Sequence, residues 1–103
     1  MAVDDPHISD ALERLIRSVD SLMTRRGDIR SRLGSAFMFI QPINPDDLPE
    51  PLRKNLKWVF ESLLGDGDIN ATLSTMTDST GRKIAERFME LEDKLRFYAQ
   101  GHQ

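Results

Sequence analysis

Apolar residues recur along this chain at helical spacing, and no stretch alternates apolar and polar as a strand would. In the first half they fall at Ile8, Leu12, Leu15, Val19 and Leu22, then resume in phase at Ile29, Leu33, Ala36 and Ile40. Steps of four and three residues place these side chains on one stripe of a helix, which Ile16, Met23 and Phe37 widen. Asp4 or Asp5 can cap the start, and Pro6 suits a first helical turn.

Arg26 falls at the centre of this stripe and is followed by Gly27 and Asp28. Two readings compete. In one, a single helix runs from about 6 to about 40, roughly 50 Å long at the usual rise. Arg26 then sits at a seam position, where it needs an acidic partner or must snorkel outward. In the other, Gly27 ends a first helix behind Arg25 and Arg26, and Asp28 caps a second. The unbroken phase favours the long helix. Pro42 stops it in either case.

Residues 41–51 carry four prolines in eleven positions and read as a stiff connector, with Ile43 and Leu48 as apolar pins. A further helix is expected over about 51–64, on the stripe Leu52, Leu56, Val59, Phe60 and Leu63, with Gly65 as its stop. Ile69, Leu73 and Met76 support a short helix at about 68–76. The stripe Ile84, Phe88, Leu91, Leu95 and Tyr98 gives a last helix at about 79–99. The expected fold class is therefore all-α, a three- or four-helix bundle with a long first helix, in one domain of 103 residues. A first helix that outruns its neighbours leaves part of its stripe uncovered. A symmetric second copy is the simplest cover, so a homodimer through the first helix and the Phe37–Ile40 end is expected.

Composition narrows the chemistry. There are no cysteines, which removes disulfides, thiolate catalysis and cysteine-type zinc sites. The acidic N-terminus lacks the apolar core of a signal peptide, and the longest apolar run, Ala36–Ile40, is far too short for a membrane span. A cytoplasmic home is the expectation, with no membrane partner. Asn70-Ala71-Thr72, which matches a glycosylation pattern, then reads as chance. Asp66-Gly67-Asp68-Ile69-Asn70 has the look of a calcium loop, but neither register supplies the glycine and the terminal bidentate glutamate together. It reads as a helix end followed by an Asp cap. His7 and His102 lie near opposite termini and suggest no metal site. Ser79-Thr80-Gly81-Arg82-Lys83 holds phosphate-binding residue types without a phosphate-loop context, and reads as a helix start. No cofactor is expected.

Net charge is a modest −3, yet residues 14–32 hold six arginines against two acids. Arg25, Arg26, Arg30 and Arg32 are therefore candidate phosphate contacts, and a nucleic-acid-associated regulator is the alternative function. A small helical enzyme is a more distant alternative. The segment Leu15-Ile16-Arg17-Ser18-Val19-Asp20 followed by Arg25-Arg26 is similar in flavour to the first helix of the all-α chorismate mutases, which share the length and the dimeric habit. No lysine occurs between Met1 and Arg53, so the first-helix lysine of that site is missing.

The aromatics off the stripes carry the leading reading. Trp58 lies opposite the Leu52–Leu63 stripe, Phe97 lies far from the Ile84–Leu95 stripe, and Met38 and Phe39 face away from Phe37 and Ile40. Apolar residues that a small bundle cannot bury mark contact surfaces. Phe37, Met38, Phe39, Ile40, Trp58 and Phe97 are therefore the expected interface of a protein-interaction module, an adaptor, regulator or assembly factor without catalysis.

Overall fold

A computed structural model describes residues 5–24, 26–65 and 67–101. Among them every regular element is helical: α1 (Pro6–Thr24), α2 (Ile29–Ile40), a 3-10 turn (Pro45–Asp47), α3 (Glu50–Leu64), α4 (Ile69–Thr75) and α5 (Asp78–Ala99). Each start after α1 has a local cause. Asp28, Asn44, Asp68 and Thr77 cap α2, the 3-10 turn, α4 and α5 through side-chain oxygens that accept from a backbone N–H two or three residues on. At α3, which has no side-chain cap, Pro49 and Pro51 preset the backbone instead.

The long first helix does not form. Gly27 has φ +112°, outside any helical conformation, and Asp28 begins α2 afresh by accepting from the Ser31 N–H at 3.0 Å. Both pieces of the stripe still line one core, because α1 and α2 fold back on one another. Arg14 Nη1 in the first half of α1 donates to the Phe39 carbonyl at the end of α2 (3.5 Å), while Arg32 Nη1 near the start of α2 donates to the Leu22 carbonyl in the last turn of α1 (3.0 Å). These two bonds make the pair antiparallel. The second one also satisfies a carbonyl that a helix end leaves without an internal partner. Arg26, which a continuous helix would place at a seam position beside an acidic partner or snorkelling outward, is exposed in the link, because the break takes it off the stripe. Arg25 lies outside the described residues.

α5 is the central element and packs against α1, α2 and α3. Its Ile84, Phe88, Leu91 and Leu95 are completely buried. Gly81 lets it cross α2 closely: a Cβ there would lie 2.9 Å from Ile29 Cγ2. The connector docks through Ile43 (6% exposed) and Leu48 (1%), while α4 lies against α2 and α3. The stripe of the first half is thus covered from inside the chain and sets no demand for a second copy. Ile16 and Met23, which the periodicity places as widening that stripe, lie exposed at its flank.

Candidate protein-contact face

The residues singled out from the sequence separate into three groups. Phe37 (4% exposed) and Ile40 (0%) belong to the chain's own core, where Phe37 meets Phe60 edge-to-face at 6.0 Å, so the surface they would offer a partner is already covered. Met38 is exposed and Phe39 half-buried, on different sides of α2. Trp58 and Phe97 are exposed and fall along one seam, between α3 and α5.

That seam is built by two antiparallel helices. Asn55 on α3 accepts from Arg87 Nη1 at 2.9 Å and donates to Glu90 Oε1 at 3.4 Å, which fixes the register. Glu90 also takes Lys94 Nζ at 3.2 Å, one helical turn on. Above the polar centre, the Arg87 guanidinium stacks over the Trp58 ring at 4.7 Å from its centroid, which holds the indole against the seam while leaving it 37% exposed. Below it lies a hollow of about 330 Å³ walled by Pro49, Pro51, Leu52, Phe97 and Tyr98, with Asp93 and Lys94 completing the lining. Arg87, Glu90, Lys94 and Phe97 recur at steps of three and four residues, so they follow one line on α5, off the core stripe. Ten residues separate Arg87 from Phe97, which is about 15 Å, or three turns. The face therefore presents an aromatic ring and an apolar hollow three turns apart, joined by a hydrogen-bonded polar strip.

The arginine cluster is largely engaged within the chain. Arg30 donates from Nε to the Met76 carbonyl (2.7 Å) and from Nη1 to Asp78 (3.0 Å), with Asp28 at 3.5 Å. Arg32 holds the end of α1. Arg26 is exposed in the link between α1 and α2, and no hydrogen bond or ion pair engages it among the described residues. Asp28, the N-cap, has its carboxyl held below the usual range, first by the Ser31 N–H and then by Arg30.

The other candidates resolve into structural roles. Asp68 caps α4 by accepting from the Asn70 N–H at 3.0 Å, whereas Asp66, the first residue of the calcium-like run, lies outside the described residues. Thr77 and Thr80 serve the start of α5. His7 is exposed beside Asp47 at 3.6 Å, and His102 lies outside the described residues. The described residues contain no group of three or more His, Cys, Asp or Glu placed to hold a metal ion, and no helix long and apolar enough to cross a membrane. The segment that is similar to the chorismate-mutase first helix is divided: Leu15–Asp20 lies within α1, Arg26 lies in the link beyond it, and Arg25 lies outside the described residues.

Comparison adds no relative. No protein-family model matches the chain, no curated protein matches its sequence, and no solved structure matches its fold.

The sequence points to Trp58 and Phe97 but not to their partners. Pro49 and Pro51 read there as connector and Tyr98 as core stripe, and Arg87 carries no signal of its own. The line Arg87-Glu90-Lys94-Phe97 is available as a second periodicity on α5, although nothing in it tells that α3 lies alongside.

Proposed function

We infer that this chain is a protein-interaction module that acts by binding, and that the α3/α5 seam receives the partner. One observation carries the reading: two large aromatics, Trp58 and Phe97, stand exposed on the same rigid helix pair, one beside an apolar hollow. Aromatic anchors on preordered backbone are the residues that dominate binding energy at protein contacts. An amphipathic helix with two apolar residues about three turns apart fits the spacing, with polar side chains over Asn55 and Glu90. A second copy of this chain is one such partner, which moves the expected self-association from the first helix to this seam.

The test is capture from the native host with wild-type chain, with the Trp58→Ala/Phe97→Ala pair, and with Arg26→Ala/Met38→Ala as a surface control. Light scattering at micromolar concentration runs alongside. The seam variant is expected to lose the captured protein, or the mass near twice 11.8 kDa, while the control keeps it. A seam variant that captures and associates as wild type does would sink the reading.

A further inference from the structure

We propose that α4 is a displaceable flap, the chain's own occupant of an apolar groove between α2 and α3, and that it opens without the rest of the fold. This goes beyond the seam reading and stands apart from it. The groove lies on the Phe60 side of α3, and Phe60 and Trp58, two positions apart, point to different faces.

α4 is weakly built. It has seven residues, far fewer than an isolated helix needs for stability, and none of them is fully buried. It is attached through Ile69 and Leu73, both half-buried, at a spacing of one turn. The Thr72 and Ser74 hydroxyls bond back to the Asp68 and Ala71 carbonyls (3.1 and 2.8 Å), an arrangement that competes with helix bonding.

The two ends differ. On the α3 side the chain turns at Gly65, with φ +52° and no room for a Cβ, which would lie 2.6 Å from Thr72 Oγ1. That turn is closed by backbone bonds of its own, from the Gly65 N–H to the Glu61 carbonyl (3.0 Å) and from the Gly67 N–H to the Leu64 carbonyl (2.7 Å), neither of which involves α4. On the α5 side Met76 is buried (7% exposed), and its carbonyl is held by Arg30 Nε at 2.7 Å, in a guanidinium that also grips Asp78. The Met76 end is the pivot, and the Ile69 end is free to lift.

What α4 covers is apolar. The Leu73 tip lies 3.3 Å from where a Gly34 Cβ would stand, and the Phe37–Phe60 pair bridges α2 and α3 beside it. The α2/α4 seam is also incompletely filled. A hollow of about 480 Å³, open to the surface, is lined by Phe37, Met38, Ile69 and Leu73 together with polar Arg30 and Gln41, among others. Elements with few buried contacts over an unfilled seam open below the free energy of global unfolding. Opening would uncover Phe37, which the closed state buries.

Amide exchange followed by NMR on the full chain tests this, together with the Ile69→Asp/Leu73→Asp variant. In wild type the amides of residues 72–75 are expected to exchange about 100-fold faster than those of residues 84–95 in α5, with weaker dependence on urea. The variant is expected to lose helix over residues 69–75 only. Its α5 amides should stay within about tenfold of wild type, and its surface should bind the apolar dye anilinonaphthalene sulfonate several-fold more strongly. Equal exchange in α4 and α5 overturns the proposal, as does a variant that unfolds throughout or one that gains no dye binding.

Discussion

At Gly27, φ +112° is a conformation that a Cβ disfavours whatever the surrounding space, and the space here is ordinary, with Ser31 3.4 Å from where a Cβ would stand. Gly27→Ala is therefore expected to destabilise the chain by about 1–3 kcal/mol in urea unfolding. A continuous helix would have given the opposite sign, since alanine is the better helix former by about 1 kcal/mol. Arg26→Leu, next to it, should change stability by less than about 0.5 kcal/mol, because its side chain is on the surface. Asp28 makes a pH prediction. Its folded pKa is lowered from 3.8 while the unfolded value is not, so its stabilising contribution is fully present above that value. The contribution is lost as pH falls through the lower folded value. Asp28→Asn keeps an N-cap acceptor without the charge. The stability of wild type relative to Asp28→Asn should therefore rise with pH through the acid range and level off above the ordinary carboxylate value of 3.8, as read from urea midpoints.

Among the elements, α3 and α5 each carry two periodicities, one for the core and one for the seam. Their energies should separate. Phe88 is completely buried, so Phe88→Ala is expected to cost about 3–5 kcal/mol. Trp58 is 37% exposed and is held largely by Arg87, so Trp58→Ala should cost about 1 kcal/mol, the scale of an exposed cation–π contact plus partial burial. Urea unfolding of the two variants at one protein concentration makes the comparison. A Trp58→Ala loss as large as that of Phe88→Ala would place the indole in the core and remove it as an anchor. The helices over 50–64, 69–75 and 78–99 follow stripes that the sequence displays, because each stripe is bounded by a cap or a breaker: Pro51, Gly65, Asp68 and Thr77. The break between α1 and α2 is less legible. A helix can stop and restart in phase when both pieces line the same core, so periodicity alone does not distinguish a rod from a hairpin.

For the molecule as a whole, arginines tie together segments distant in sequence. Arg30 links the start of α2 to the α4–α5 junction 46 and 48 residues away, at 32% side-chain exposure. Arg30→Leu leaves the Met76 carbonyl and Asp78 without that donor and is expected to destabilise by about 1.5–3 kcal/mol, the range for hydrogen bonds to charged groups. Urea midpoints measure it, and a neutral result would mean that water replaces the guanidinium at no cost. The arginine cluster that suggests phosphate binding is, in Arg30 and Arg32, a set of side-chain braces for helix ends and junctions.

The helical class, the capping residues and most of the core are written in the order of residues along the chain. They depend on the spacing of apolar side chains and on short-range hydrogen bonding, which extend over one or two turns. Where the first stripe folds back, which apolar residues remain outside, and which group each arginine meets are settled only when the helices pack. Those outcomes depend on contacts between residues tens of positions apart. Phe37 and Phe97 are both large aromatics on helices of three turns or more. Phe37 is buried where packing brings Phe60 of α3 against it, while Phe97, off the core stripe of α5, stays 58% exposed.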